Sequence, residues 1–587
     1  MSDDPKVNVS TGAQAPQAPE RPPYSIVFIG DLGGGPDKLT AVDKDEFARV
    51  LAAAHPSVAL SVKNPLGGDD LDFQISFDSL KAFEPAGILA KTPAARWRLG
   101  LRDKIFDRRA GAISPQDLET AFDAAAQADR TLAWIKQTAA STGAAAGAAP
   151  AGPSVLDMVD EPDESARVRA DVERAAAQAG DPNAKISGAE SGRMNAVQSR
   201  LESELAQLAD AVGKHPELRR LETAWRSLKW IVDRIDFRAG VRLAAVHATR
   251  ENGVDRMIEK VIEPAFEGDI PTPGLVVFDF GFTNNAQHYE TLDYLAQHAA
   301  SLPVPVTFPL EASFFDVKNL RLLKNLPNLS NLVDGFQYAK FRALGEQPYS
   351  KALAPVLGRF ILRAPFEAKA KAREFTCKEK VEKISDLIWA GGHLALAVCA
   401  ARAVAQKGWP TRMFGTESGR IEDLPVVDNP NDSQSPWGPG DLFMPDARID
   451  ELPAIGVNAV LSVKNHDYCM LVGGATMARP VLTQNINKQE ALLQVSLAYQ
   501  QFNNIVSAYI CETQAQLRGL ETSQVQERLI FGLTRLLGIR KPEEMDAVQV
   551  GVGPHPENPQ QTVVQVRITP PPAILPGGLP VEFGFAV

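Results

Sequence analysis

"GLVVFDFGFTNNAQHYETLDYLAQHAASLPVPVTF", Gly274 to Phe308, decides the fold class. "GLVVFDFGF" is a continuous apolar strand, "HYETLDYLAQHAASL" is helical, and "PVPVTF" is a second strand. Strand, helix and strand within about 35 residues form a βαβ unit, so a parallel sheet covered by helices is expected. The fold class is α/β.

The flanking segments agree. "HPELRRLETAWRSLKWIVDRID" places Pro216 at a helix start, then Leu218, Leu221, Trp225, Leu228, Val232 and Ile235 at intervals that make one broad apolar stripe. "LIWAGGHLALAVCAARAVAQKGW", Leu387 to Trp409, is the longest apolar stretch but carries His393 and Arg402. A membrane span wants about twenty apolar residues with few charges, so this reads as a buried helix. Nearer the start, Tyr24–Ile29 is a strand, and "VDKDEFARVLAAAHP" spaces Phe47, Val50, Leu51 and Ala54 helically, with Asp43 and Glu46 at capping-box distance and Pro56 as the stop. "LDFQISF" alternates Leu71, Phe73, Ile75 and Phe77, the period of a half-buried strand.

The strand at Tyr24 empties into "GDLGGGPDK", which raises the question of a phosphate loop. A Walker A loop needs G-x-x-x-x-G-K-[ST], but here Pro36 and Asp37 follow Gly35 and displace the lysine. The dinucleotide pattern G-x-G-x-x-G is missing too. A turn requiring positive φ is the expected role. The eight histidines are scattered and none lies in H-E-x-x-H. "NHDYCM" brings His466, Asp467 and Cys469 together without a third group. Asp279 stands at a strand end, where open α/β sheets bind ligands, but equally suits a helix cap or a basic partner. No catalytic set, metal site or cofactor site emerges.

Of 587 residues, 44% are hydrophobic and 23% charged, an ordinary globular composition of three or four domains. A net charge of −11 argues against a nucleic-acid surface. Cys377, Cys399, Cys469 and Cys511 lie far apart, which suits a reducing compartment and speaks against a disulfide frame. "MSDDPKVNVS" is acidic and polar, unlike a secretory signal, so a cytoplasmic location is expected.

Two segments interrupt the dense sequence. Residues 11–23, "TGAQAPQAPERPP", and 139–152, "AASTGAAAGAAPAG", have linker composition. The expected divisions are an N-terminal strand and linker over 1–23, a small α/β unit over 24–135, a linker with a polar helix over 136–195, and a large region over 196–587. Its end carries two alternating strands, "TVVQVRI" and "LPVEFGFAV", separated by "TPPPAILPGG".

The order of these segments carries a resemblance. "PKVNVS" followed by "YSIVFIGDLGG", "DKDEFARVLAAAHPSVALSV" and "LDFQISFDSLKAFEPAGILA" resembles the small sheath subunit of bacterial type VI secretion systems (TssB, or VipA). From residue 196, "LETAWRSLKWIVDR", "VVFDFGFT", "LGRFILRAPF", "LIWAGGHLALA", "KGW" and "IEDLPV" resemble, in order, the large subunit (TssC, or VipB). The chain looks like a natural fusion of the two. It departs from the family in the reduced basic stretch "PDKLTAVDK" and in "MPDARID", Met444 to Asp450, where the family has P-T-E.

The resemblance implies a contractile-sheath fold and a structural rather than enzymatic role. It implies rings of six protomers stacked around an inner tube of the Hcp type, with baseplate and cap proteins as further partners. A disassembling AAA+ ATPase of the ClpV type would grip a helix near Val155–Ala177. No cofactor, nucleic acid or membrane insertion is implied. An isolated hairpin is marginal in water and an open edge invites another chain's strand. Val7 and Val9 from one protomer and Val564, Val566, Val581, Phe583 and Phe585 from others are therefore expected to build an intermolecular handshake sheet by strand addition. Arg535, Arg540, Lys541, Glu543 and Glu544 form a mixed-charge candidate for inner-tube contact, or simply a solvated face. The alternatives are a phage-tail-like contractile particle, a nucleotide-binding α/β enzyme using the Gly-rich loop, and a generic oligomeric scaffold.

Overall fold

The structure, a computed structural model, describes residues 22–138, 186–368, 375–431, 437–482, 486–540, 546–554 and 562–586. Its centre is a nine-stranded sheet. We name seven of its strands β1 (Tyr24–Gly30), β2 (Val241–His247), β3 (Leu275–Phe278), β4 (Val306–Leu310), β5 (Leu353–Leu357), β6 (Asn458–Ser462) and β7 (Cys469–Val472). The order is Arg420–Ile421, β7, β6, β5, β4, β3, β1, β2, Thr40–Ala41. From β6 to β2 every neighbouring pair is parallel, and the antiparallel strands sit at the two ends. The βαβ unit expected at Gly274–Phe308 is present: β3 and β4 pair in parallel, joined by the helix Ala286–Ser301.

β1 is the informative strand. It lies between β2 and β3, registered from Tyr24↔Val241 to Gly30↔His247 on one side and from Ile26↔Leu275 to Ile29↔Phe278 on the other. The N-terminal region thus contributes a central strand to the sheet of the C-terminal region. A strand buried on both faces and paired on both edges ties residues 24–135 to that sheet. Tyr24, Ile26 and Phe28 face one apolar core and Val27 and Ile29 face the other.

The principal helices are α1 (Phe47–Ala54), α2 (Arg96–Arg109), α3 (Pro115–Ala128), α4 (Gly188–Gly213), α5 (Pro216–Arg234), α6 (Gly392–Lys407), α7 (Leu497–Leu517) and α8 (Thr522–Leu536). The turn leading into α1 is held by Asp43, whose carboxylate accepts from the amides of Asp45 and Glu46. α6 is buried on nearly all sides against the sheet, which is why it reads as apolar all round. α4 begins at Gly188, inside the stretch expected to be linker, because Ser187 caps it and Met194, Val197 and Leu201 bury its first turns against α2 and α3. Among the described residues no helix is long and apolar enough to cross a membrane.

α2 to α4 are joined by buried charge. The Arg98 side chain is fully buried and donates to Glu204 at 2.8 Å, to Asp129 at 2.8 Å and to Thr131 at 2.7 Å. Arg108, also buried, donates to Glu190 at 2.8 Å. A second network centres on Glu222 of α5, which accepts from Arg226 at 2.6 Å and Arg363 at 2.7 Å, while Arg363 also reaches Glu379 at 2.6 Å. Burial opposes ionisation of Glu222, but the two guanidiniums overcome it and hold its carboxyl below the ordinary glutamate value.

Candidate assembly surface

The last three strands, β8 (Val548–Pro554), β9 (Thr562–Ile568) and β10 (Val581–Ala586), form their own antiparallel sheet with β9 in the middle. The expected strands "TVVQVRI" and "LPVEFGFAV" are β9 and β10, registered from Val563↔Ala586 to Ile568↔Val581. β8 was not expected, although Val548, Val550 and Val552 alternate at the period of a strand. The C-terminal strands are therefore not without a sheet inside the chain: β8 completes one, and α7 and α8 carry it. Val564, Val566 and Val581 are buried in the main core, and Phe583 and Phe585 pack half-buried against it.

The opposite face is polar or bare. It presents Gln549, Gly551, Gln565, Arg567, Glu582 and Gly584, all exposed, with an Arg567–Glu582 cross-strand pair at 3.7 Å. The connection "TPPPAILPGG" is packed, with Ile574 and Leu575 buried and the Ile574 carbonyl accepting from Thr411. β10 is thus fixed by its hairpin connection as well as by pairing.

Of the candidate tube-contacting residues, Arg535 lies in the last turn of α8 and Arg540 just beyond it, both exposed. Arg535 borders an open groove with Trp409, Tyr509, Leu537 and Ile574 at the foot of the terminal sheet. Lys541, Glu543 and Glu544 lie outside the described residues, as do Val7, Val9 and the segment Val155–Ala177.

Several polar groups of the Gly-rich loop are engaged within the chain. Leu32 N–H donates to His247 Nδ1 at 3.1 Å, Gly33 N–H to Asp31 at 3.1 Å, and Ser57 N–H to the Gly33 carbonyl at 3.1 Å. The Leu32 carbonyl accepts from Trp225 Nε1 at 2.9 Å. Burial pushes the His247 imidazole below its ordinary value against the pull of Asp31, and a neutral ring leaves Nδ1 able to accept. Gly33 has φ 71, the turn conformation expected of it. Asp279 finds a histidine rather than a lysine or arginine: its carboxylate lies 3.0 Å from Nε2 of fully buried His393.

Comparison with known proteins gives this arrangement a class. Residues 21–139 match the VipA family (Type VI secretion system, VipA, VC_A0107 or Hcp2), and residues 195–478 match the VipB family (EvpB/VC_A0108, tail sheath N-terminal domain). The chain is a type VI secretion sheath protein. More particularly, it belongs to the VipA and VipB families at once, a TssB/TssC fusion with both subunits in one polypeptide. The type VI secretion system sheath protein TssC1 of Pseudomonas aeruginosa is 23% identical over 307 residues, 49% of this chain and 62% of that protein. The chain thus spans about three fifths of that curated relative. The terminal sheet lies beyond the VipB match, which ends at residue 478.

Proposed function

We propose that this chain is the structural subunit of a contractile sheath, polymerising as rings of six protomers into a helical tube around an Hcp-like inner tube and contracting to propel it into a target cell. The observation that carries this reading is the sharing of one sheet by the VipA and VipB spans, with β1 between β2 and β3. One polypeptide then supplies a whole building block with fixed one-to-one stoichiometry. The role is structural and cytoplasmic, with no catalytic step and no membrane insertion. Baseplate and cap proteins bound the tube, and a ClpV-like ATPase recycles it.

Neighbouring protomers are linked by strand addition. Val7 and Val9 of one copy extend the sheet containing Val564, Val566, Val581, Phe583 and Phe585 of another, and the Pro-rich segment 11–23 is the arm between anchor and body. Arg535 and Arg540, with Lys541, Glu543 and Glu544, face the inner tube. Electron microscopy of the expressed chain tests the proposal. Long hollow tubes are expected, lost on deletion of residues 1–10. Intact tubes of normal length after that deletion end the handshake reading, and a purely monomeric full chain ends the sheath reading.

A further inference from the structure

Two hydrogen bonds show which edge of the terminal sheet is open and what guards it. In an antiparallel pair, alternate residues direct both N–H and C=O toward the partner strand or away from it. The Thr569 N–H donates to the Ala547 carbonyl at 2.8 Å, so the odd-numbered residues of β8 and β9 face each other. Val564, Val566 and Ile568 then bond to Phe585, Phe583 and Val581 across the other ladder. Glu582, Gly584 and Ala586 direct their backbone groups outward from β10, and Val548, Val550 and Val552 do so from β8.

Each outward row is met by one glutamine. Gln526 of α8 donates to the Val550 carbonyl at 2.9 Å, and Gln514 of α7 donates to the Ala586 carbonyl at 2.7 Å. The two edges are otherwise unequal. The Gln526 bond is part-buried, and β8 lies along α8, whose Val525 and Leu529 share a core with Val548 and Val550. The Gln514 bond is exposed.

We propose that Gln514 is the lock on the edge that admits a neighbour's strand. This rests on the strand-addition reading above and adds its control. Gln514 occupies the Ala586 carbonyl in the free protomer, so an incoming strand must displace it before pairing along Glu582, Gly584 and Ala586. The occupant is residues 6–10, "KVNVS", of a second copy. Twenty-one residues precede the first described one, ample reach for such a strand. Val7 and Val9, two apart, would fall on one face and continue the row of Phe583 and Phe585. The lock gives specificity at small cost: a segment that cannot pair along the whole edge gains too little to displace the glutamine, so stray edge-to-edge association is suppressed.

Full-length chain is assembled over a concentration series and followed by light scattering and electron microscopy, with melting temperature as the folding control. Loss of one such bond corresponds to about fivefold, so Gln514→Ala should assemble at roughly one fifth of the wild-type concentration with unchanged melting. Gln526→Ala should assemble as wild type. Gly584→Pro removes an outward N–H, a position where an edge strand tolerates proline, and should stay folded without assembling. Gln514→Ala assembling at the wild-type concentration overturns the lock, while a folded, non-assembling Gly584→Pro keeps strand addition standing. Gly584→Pro forming normal tubes overturns this edge and the lock together. Gln514→Ala needing a higher concentration overturns the second-copy occupant, since the freed edge would then be taken by the chain's own N-terminal segment.

Discussion

Cutting the polypeptide between its two sheath regions should leave it in one piece. A protease recognition sequence placed within residues 139–152 would separate the VipA span from the VipB span covalently. β1 would remain held by β2 and β3. Its five buried side chains, Tyr24, Ile26, Val27, Phe28 and Ile29, contribute about 8–15 kcal/mol at about 1.5–3 kcal/mol each. Leu101, Ile105 and Phe122 against Met194, Val197 and Leu201 of α4 add about 5–9 kcal/mol on the same scale. The charge-assisted bonds of Arg98 to Glu204 and Arg108 to Glu190 add about 1.5–3 kcal/mol each. Association costs about 4–15 kcal/mol in lost freedom. The gains exceed the association cost, so the halves should stay together at micromolar concentration. Size-exclusion chromatography at about 1 μM should show the cleaved protein eluting as the uncut one. Phe28→Ala, which removes a fully buried ring, should cost about 3–5 kcal/mol and loosen the cleaved pair more than a hundredfold. Separation of the wild-type halves in native buffer, or a Phe28→Ala pair as tight as wild type, refutes the shared-sheet reasoning.

Three further outcomes follow from particular side chains. Gly33→Ala places a Cβ 2.5 Å from Leu221 Cδ1 at a φ of 71, and should lower stability by about 1–3 kcal/mol in a urea titration. The Glu222 carboxyl is held below its ordinary value in the fold, so its contribution is full above the ordinary glutamate range and fades as pH falls through the folded value. Urea midpoints measured from neutral to acid pH should therefore fall less steeply for Glu222→Gln than for wild type; parallel curves would show that Glu222 is not a linked group. Arg98→Ala removes the buried guanidinium that joins Asp129 and Glu204, while Glu204 keeps Arg200 and Asp129 keeps Thr131, and should cost about 1–3 kcal/mol. Arg98→Lys should recover only part of this, because a single ammonium cannot hold both carboxylates and Thr131 in a planar fork.

How far the sequence discloses this molecule depends on whether the relevant contact is local. The βαβ unit, α1 and the apolar α6 follow from spacing that each segment carries within itself, and all three stand where they were expected. The place of β1 does not follow. "YSIVFIG" is apolar on both faces, as any strand at the centre of a parallel sheet must be, and nothing in it says that its partners lie more than two hundred residues away. Only the resemblance, by aligning two subunits along one chain, suggests that the regions belong together. The buried arginines were hidden for a related reason. In "RWRLGLRDKIFDRR" the buried positions are Arg98, Leu101, Arg102, Ile105 and Arg108, a helical stripe in which charge stands where leucine would normally be. A default that sends arginine to the surface misreads it, whereas its spacing with Leu101 and Ile105 was a usable signal. β8 was likewise legible from the alternation of Val548, Val550 and Val552, but the glycines between them resemble loop. Gly551 and Gly553 leave that stretch of the outer face without side chains. Gln514 and Gln526 left no trace in the sequence at all. An edge lock is a relation between one helix position and one strand carbonyl, and it exists only once the fold has brought α7 beside β10.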